Sequence, residues 1–226
     1  MFVNIKIKLA VSLEKKANKI KRKIRKEVLN SFLNEYGLKE GTPIPKKDIR
    51  FNPYEGTNLL LLDKLINSGM IDKDEVILDV GAGTGILLFY MAKNGYKNLY
   101  GIEHEDYLYN IFIENLKSFK SKFSDKEYTI EMFKGNAIEM PIKDDITCFY
   151  LFNTFYDKET YMKWINNVKK SLKRKNRHIK IILLYPTVAS MGAMRECEWL
   201  YEKGRIVCDA QMCHKCVNYL IYENKE

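Results

Sequence analysis

The segment Val76–Gly85 constrains the fold more than any other part of this 226-residue chain. It is an apolar run that carries the acid Asp79 and is followed by glycines at positions 81, 83 and 85. A continuous apolar run is typical of a central parallel strand that helices cover on both faces. Glycines at alternate positions let the backbone turn tightly and approach a ligand where the next helix begins. The segment therefore predicts a buried strand, a nucleotide-binding turn and a helix.

The spacing of the glycines separates two classes of cofactor. A dinucleotide-binding fingerprint, G-x-G-x-x-G, needs its third glycine where this chain has Ile86. The pattern of one acid and three alternating glycines resembles instead the first motif of the class I S-adenosylmethionine-dependent methyltransferases. The resemblance implies S-adenosyl-L-methionine as cofactor, with Asp79 at its methionine end. It also implies that the whole turn contacts the cofactor, through Gly81, Ala82, Gly83, Thr84 and Gly85.

A second acid follows at the distance that this family requires. The short apolar strand Leu99–Glu103 ends in a carboxylate roughly twenty residues beyond the glycine turn. A carboxylate in that position can accept hydrogen bonds from both hydroxyls of a ribose, and the family's second motif has an acid there. His104 follows directly. The resemblance implies a contact between His104 and the adenine, and the alternative is a surface residue.

Asn136 and Ala137 follow the third predicted strand, Tyr128–Lys134. The family commonly places a polar residue at this strand end against the adenine, and the resemblance implies this role for Asn136 with Ala137 beside it. Many relatives have an acid where this chain has Asn136. Asparagine is also a common turn residue after a strand, so both interpretations of Asn136 stay open.

The apolar strand Ile146–Phe152 is followed by Asn153, which is the leading candidate for contact with the methyl acceptor. In open α/β sheets ligands bind beyond the carboxyl ends of the strands, so a side chain there can face cofactor and substrate together. The segment is similar to the Asn-Pro-Pro-aromatic motif of amino-group methyltransferases, although both prolines are absent. If the acceptor has to lose a proton, the predicted catalytic residues beside Asn153 are Tyr156 and Asp157, with His104 as a further candidate.

The order of the remaining elements completes the predicted fold. Helices and apolar strands alternate along the chain, which is typical of a doubly wound sheet. The later elements are a helix at Lys158–Leu172, a strand at Ile179–Tyr185, a short helix at Met191–Glu202, and strands at about Arg205–Met212 and Cys216–Tyr222. We expect an α/β fold with a mostly parallel seven-stranded sheet and an antiparallel C-terminal hairpin, as the resemblance implies.

An excess of basic residues is confined to the beginning of the chain. Residues 1–50 hold 14 Lys or Arg and 5 Asp or Glu, whereas residues 51–226 hold 24 of each. Apolar residues recur every three or four positions from Leu13 to Phe32, and basic residues fill much of the remaining surface over residues 15–26. The pattern predicts a basic amphipathic helix. Such a helix can attract a nucleic acid, pack on the sheet, or join two subunits in a homodimer.

The loop Gly41–Lys47 contains two prolines and marks the expected domain boundary. Residues 1–50 are predicted to be a basic helical extension, and residues 51–226 a Rossmann-like catalytic domain that binds S-adenosyl-L-methionine. In many relatives the segment before the first strand folds over the cofactor as a lid. Tyr54 would then lie near the methionine end, where cation–π attraction favours an aromatic ring beside a sulfonium. Packing is the alternative role for this ring.

Cysteines cluster near the end of the chain. Cys213, His214 and Cys216 lie close together, with Cys208 nearby. A structural zinc site normally has four ligands from two such pairs, and the second pair is missing unless Cys208 and Cys197 converge on it. We therefore expect reduced thiols and no bound metal.

The hydropathy of the chain indicates no membrane association. There is no run of about eighteen apolar residues and no pattern of a secretion signal. We therefore expect a cytoplasmic protein without a membrane partner.

The motifs predict an enzyme that transfers a methyl group in line from S-adenosyl-L-methionine to an unidentified acceptor, either a small molecule or a protein side chain. Two alternatives stay open. One is an RNA methyltransferase that uses the basic helix over residues 15–26. The other is a non-catalytic scaffold that binds S-adenosyl-L-methionine, which the divergent sequence after Asn153 favours.

Overall fold

Seven strands form the centre of the molecule. In the computed structural model, which describes residues 2–43, 48–208 and 217–225, they form one sheet. The strands are β1 (Val76–Val80), β2 (Asn98–Glu103), β3 (Thr129–Lys134), β4 (Cys148–Phe152), β5 (Lys180–Leu184), β6 (Leu200–Cys208) and β7 (Val217–Asn224). Their order across the sheet is β3-β2-β1-β4-β5-β7-β6. Strands β1 to β5 are parallel, while β7 is antiparallel to both β5 and β6. The predicted fold class is confirmed.

Helices cover both faces of the sheet. Those in the described residues are α1 (Phe2–Tyr36), α2 (Leu59–Asn67), α3 (Ile86–Lys93), α4 (Asp106–Lys122), α5 (Lys158–Arg174) and α6 (Val188–Arg195). Alternate residues of β1 enter two separate cores. Ile77 packs with α2, α3, α4 and the end of α1, and Leu78 and Val80 pack with α5 and α6. The apolar β1 run is therefore buried from both sides, as a central parallel strand requires.

The position of β1 in the sheet determines where a ligand can bind. β1 pairs with β2 on one side and with β4 on the other. The chain therefore leaves the carboxyl end of β1 in one direction and returns from the other, which creates a crevice at the topological switch point. The residues that follow β1 and β2, together with Phe152 at the end of β4, line this crevice.

The C-terminal hairpin begins earlier than the sequence predicts. A helix is predicted over Met191–Glu202, but α6 ends at Arg195 and β6 already begins at Leu200. A capping box between Thr187 and Ser190 starts the helix early. β6 pairs with β7 from its first residue, Leu200, opposite Asn224. This pairing partner is distant in sequence, so local periodicity does not reveal it.

Among the side chains of the basic helix α1 that the structure describes, from residue 10 onward, those at the end of the helix are packed in the core. Phe32 is 3% exposed and lies in the same core as α2 and α3. Further upstream, Leu13 and Ile20 are 57% and 60% exposed although they belong to the same predicted apolar face. The helix is amphipathic, as predicted, and among its described side chains the apolar ones from about Val28 onward pack against the core.

Two further predictions concern membranes and cysteines. None of the helices in the described ranges is long and apolar enough to cross a membrane. Cys148 and Cys197 are buried free thiols. Cys213, His214 and Cys216, the residues considered as metal ligands, lie outside the described residues, and so does most of the loop between β6 and β7.

Candidate functional site

The glycine turn after β1 has the conformation that its sequence predicts. Gly81, Gly83 and Gly85 have φ angles of 86°, 56° and 79°, in the left-handed region that other residues adopt at a cost. The amides of Gly81 and Ala82 both donate to the carbonyl of Ile102, at 2.9 and 3.0 Å. The turn is therefore fixed against the end of β2, and α3 begins directly after it.

Glu103 joins the two loops that border the crevice. Its Oε2 atom accepts a hydrogen bond from the Gly83 amide at 2.8 Å. Its Oε1 atom accepts from the amides of His104 and Glu105, each at 2.8 Å. These charge-assisted hydrogen bonds offset the cost of burying a carboxylate that is only 5% exposed. Oε1 already accepts two hydrogen bonds, whereas Oε2 accepts one and has capacity for a further donor, so Glu103 can still accept a hydroxyl from a ligand.

Asp79 is the second buried carboxyl group of the crevice, also 5% exposed. Burial raises the pKa of Asp79 to about 8, and the negative charge of Glu103 adds to this effect. Two neighbouring acids in a buried crevice favour a cationic ligand, because a positive charge would stabilise the ionised form of Asp79. S-adenosyl-L-methionine carries such charges at its methionine end, and the two buried acids of the crevice therefore fit this cofactor.

Tyr54 lies directly on the glycine turn. A Cβ atom added to Gly83 would come within 2.5 Å of Cε2 of the Tyr54 ring. The Tyr54 hydroxyl lies 3.3 Å from the Thr84 hydroxyl, and burial raises the pKa of Tyr54 to about 12. The crevice between Asp79, Glu103 and Tyr54 has a free volume of about 80 Å³, whereas ligand pockets typically measure about 300–1,000 Å³. Tyr54 therefore closes the crevice in this conformation.

The segment that carries Tyr54 is held against the end of β4. Phe51 forms an antiparallel bridge with Phe155, and the Asn52 amide donates to the Thr154 carbonyl at 3.1 Å. Phe51 also stacks on His104, with ring centroids 4.4 Å apart. We call residues 51–57 the lid segment. It contacts the residues that follow both β2 and β4.

Asn153 has an unusual backbone and a fixed side chain. Its φ angle of 47° is in the left-handed region, which a residue other than glycine adopts only when its surroundings impose it. The side-chain amide of Asn52 donates to the Asn153 carbonyl at 2.8 Å and to its Oδ1 atom at 3.1 Å. A third hydrogen bond from the same amide reaches the Phe155 carbonyl at 3.0 Å. Asn52 therefore fixes Asn153, a role that no sequence motif indicated.

Two predicted catalytic residues lie outside the crevice lining. Tyr156 is 62% exposed. Asp157 is the N-cap of α5, and its Oδ1 atom accepts from the Thr160 amide at 2.8 Å. These positions give Asp157 a structural role in starting the helix, and neither side chain borders Asp79 and Glu103.

The predicted adenine-side residues differ in their surroundings. The Asn136 side chain is used locally, because it donates to Glu139 at 2.9 Å and accepts from the Ile138 amide at 3.1 Å. Ala137 and His104, in contrast, line a small cavity together with Gly81. The structure thus brings Ala137, His104 and the glycine turn together, while Asn136 stabilises the following turn.

A second cavity of about 530 Å³ adjoins the crevice beyond β4. Phe152 and Glu55 line both spaces. The wall of this cavity also includes Asn153, Tyr185, Arg195, Arg205 and Leu220. We call this space the distal cavity. No sequence motif predicted this cavity, because its arginines come from separate elements.

Comparison with known proteins agrees with this geometry. A family model described as a methyltransferase domain matches residues 78–178, which include the glycine turn, Glu103 and Asn153. Protein arginine N-methyltransferase 8-B of Danio rerio is 36% identical over 88 residues, 39% of this chain and 20% of that protein. An uncharacterized protein of Methanocaldococcus jannaschii is 31% identical over 101 residues, 44% of this chain and 36% of that protein. The chain thus spans between a fifth and about a third of the length of these curated relatives.

A solved structure supports the fold over a longer stretch. An RNA methyltransferase from Salinibacter ruber, in complex with S-adenosyl-L-homocysteine, superposes with a TM-score of 0.54 at 15% sequence identity. The superposition covers 76% of this chain and 95% of that protein. At this level of identity the likeness concerns the fold.

Proposed function

We propose that the chain is a methyltransferase of the class I, Rossmann-like type that uses S-adenosyl-L-methionine, and that it transfers a methyl group to an acceptor bound beside Asn153. One observation carries the proposal. Asp79, the glycine turn and Glu103 meet in one crevice at the switch point of the sheet, and Asn153 borders the cavity next to it.

Different residues of the crevice would bind different parts of the cofactor. Glu103 would accept a ribose hydroxyl at Oε2, since its carboxylate is already oriented by three backbone amides. Asp79 would bind the cationic methionine end. Ala137 and His104 would lie beside the adenine, since both line a small cavity next to the glycine turn. These assignments use the donor and acceptor chemistry of each group.

The cofactor, when bound, supplies an electrophilic methyl group: the acceptor–carbon bond forms as the sulfur–carbon bond breaks, and that electron pair stays on sulfur. Asn153 orients the acceptor, and Asn52 fixes Asn153 in turn. The lid segment excludes water from the crevice. Positioning of this kind can supply much of a rate enhancement. A base on Tyr156 or Asp157 is not required, which agrees with their placement away from the crevice.

Methyl transfer and cofactor binding can be tested separately. The full chain is titrated with S-adenosyl-L-methionine by calorimetry and then incubated with labelled cofactor and pools of small molecules, peptides or RNA. Asn153→Gly keeps the left-handed backbone and should abolish labelling of the accepted pool while cofactor affinity changes less than threefold. Asn166→Ala, at an exposed position of α5, is the matched control. A folded wild-type chain that does not bind the cofactor would refute the proposal.

RNA is the second candidate acceptor. Its support is the exposed basic surface of α1, which includes Lys15, Lys19 and Lys26. Polyanion binding by such a surface weakens steeply with salt, because counterions are released. Truncation before Val28 would remove this surface and spare Phe32. Salt-dependent RNA binding that this truncation abolishes would favour the RNA function, and salt-independent or unchanged binding would oppose it.

The same proposal assigns separate roles to the two predicted parts of the chain. Residues 51–226 hold the catalytic groups, and residues 1–50 serve as an extension for a nucleic acid or a second subunit. A non-catalytic scaffold would bind the cofactor but transfer no label to any pool. We also propose a cytoplasmic location, where the buried thiols of Cys148 and Cys197 stay reduced. Cell fractionation would test this location.

A further inference from the structure

The distal cavity lies next to the crevice, on the side of the proposed methyl acceptor. Phe152, at the end of β4, and Glu55, in the lid segment, each line both spaces. Asn153 follows Phe152 and lines the distal cavity. A molecule in this cavity can therefore reach a group held in the crevice. The following inference rests on the proposed methyltransferase function.

Strained backbone is concentrated at this cavity. Within the described residues, Asn153 and Tyr185 are the two non-glycine residues with positive φ, at 47° and 53°. They follow β4 and β5, which are neighbours in the sheet, and both line the distal cavity. This conformation is costly for Tyr185, whereas asparagine tolerates it more readily, and strain of this kind tends to persist at ligand-binding sites.

The charge of the cavity wall is positive. Arg25 from α1, Arg195 from α6 and Arg205 from β6 line it, against the two acids Glu55 and Glu202. The Glu202 carboxylate accepts from Nε of Arg205 at 2.9 Å. The charges of Arg195, Arg205 and Glu202 all act on the Tyr222 hydroxyl, so these groups converge on one part of the wall. The wall therefore carries three arginines, which come from distant parts of the sequence, and two acids, so its net charge is positive.

The remaining wall is apolar. The Phe152 and Tyr185 rings lie 5.4 Å apart at an angle of 38°, next to Leu220. A volume of about 530 Å³ lies within the range of about 300–1,000 Å³ that holds small ligands. The space thus has an apolar part beside Asn153 and a cationic part further out.

We propose that the methyl acceptor is a small molecule with an apolar body and an anionic group, a carboxylate or a phosphate, which Arg195 and Arg205 bind. The apolar body lies against Phe152 and Tyr185. Arginine suits this role because its planar guanidinium forms paired hydrogen bonds with both kinds of anion.

Four probes of similar body and different charge test the proposal: phenylacetate, phenyl phosphate, 2-phenylethanol and 2-phenylethylammonium. Each is titrated at millimolar concentration into the full chain saturated with S-adenosyl-L-homocysteine. We expect at least one anionic probe to bind more tightly than the neutral and cationic probes. The order of phenylacetate and phenyl phosphate identifies the anionic group.

Variants of the wall provide the second part of the test. Arg195→Gln and Arg205→Gln should each weaken the anionic probes by about tenfold or more, because each removes a charged donor. Glu202→Gln should strengthen their binding, because it frees Arg205, and a merely structural role would not produce this gain. Arg174→Gln is the matched control, since Arg174 also forms a surface ion pair, with Asp144, but lies outside the cavity.

The outcomes separate this inference from the proposed function. If the folded wild-type chain does not bind S-adenosyl-L-homocysteine, the methyltransferase function itself fails. If that ligand binds, the inference is overturned by equal or tighter binding of the uncharged or cationic probe. Absence of binding by both anions, or anion binding that neither arginine substitution changes, overturns it as well.

Discussion

The Gly83 amide donates a hydrogen bond of 2.8 Å to the Glu103 carboxylate, and this contact joins the loop after β1 to the end of β2. The same carboxylate accepts from the two amides that follow it in the chain. Glu103 therefore shapes the glycine turn and presents an acceptor to the crevice at the same time.

Replacement of Glu103 by Gln should weaken cofactor binding. The amide has nearly the same size, but its NH2 group faces backbone donors instead of accepting from them. We expect the affinity for S-adenosyl-L-methionine to fall by about 10- to 100-fold, since hydrogen bonds to charged groups contribute about 1.5–3 kcal/mol. Calorimetry measures the change. Glu131→Gln, at an exposed position of β3, is the control, and equal affinities of the two variants would contradict the assignment.

Cofactor affinity should depend on pH through Asp79. Its pKa is raised to about 8 in the folded protein, against an ordinary value of 3.8, so the group is mostly protonated at neutral pH. The cationic cofactor favours the ionised form. Affinity should therefore rise with pH, by up to about tenfold per unit between pH 6 and 7.5, below the range where the cofactor's own amino group titrates. Calorimetry in buffers of different ionisation enthalpy should detect proton release on binding.

Asp79→Asn should remove this pH dependence and also change stability. A carboxyl group whose pKa is raised by folding destabilises the folded state as pH rises from about 4 to about 8, because the unfolded chain loses its proton first. Asp79→Asn should flatten the stability profile over this window in urea unfolding experiments. A wild-type profile that is already flat would show that Asp79 has an ordinary pKa.

The lid segment should control how fast the cofactor enters. Tyr54 lies on Gly83 and must move before a ligand can approach the turn. Tyr54→Ala should raise both the association and the dissociation rate several-fold, whereas Tyr54→Phe keeps the ring and should behave like the wild type. Stopped-flow binding experiments measure both rates. Unchanged association in Tyr54→Ala would mean that another step limits entry.

Asn52 should be a positioning residue for the acceptor side. Asn52→Ala leaves the carbonyls of Asn153 and Phe155 without their donor, which should cost about 1–3 kcal/mol of stability. Labelling of the accepted pool should fall more than tenfold while the affinity for S-adenosyl-L-methionine changes less than threefold. If both quantities fall together, the role of Asn52 is structural only. Asn166→Ala again serves as the control.

The end of α1 should be part of the core. The Phe32 ring packs against Tyr90 at 5.1 Å between centroids, and Tyr36 packs against Phe119 at 5.0 Å. Phe32→Ala should cost about 3–5 kcal/mol of unfolding free energy, as removal of a buried aromatic ring does. Ile20→Ala, on the same helix but 60% exposed, should change stability by less than about 0.5 kcal/mol. Similar effects of the two substitutions would show that α1 does not pack as described.

Local patterns predicted the crevice because each of its motifs lies within a few residues. The Asp79–Gly85 spacing and the strand ending in Glu103 are visible without any long-range information. The contact between Asn52 and Asn153 was not predictable, because the two residues are far apart in the chain and belong to no shared pattern. The arginines of the distal cavity escaped detection for the same reason.

Periodicity on α1 correctly predicted a helix with one apolar face, but not where that face is covered. Spacing identifies which side chains share a face, and contact with another element depends on the tertiary fold. Asn136 illustrates the converse. A position in a motif suggested a ligand contact, while the side chain forms hydrogen bonds within its own turn.

Glu55 lines the crevice and the distal cavity from a single segment of chain, so a movement of this segment would affect both spaces. When residues 51–57 move to admit one ligand, the wall seen by the other ligand moves with them. By linkage, each ligand then changes the affinity for the other by the same factor. We expect binding of the cofactor to change the affinity for the acceptor, because both ligands would contact residues 51–57.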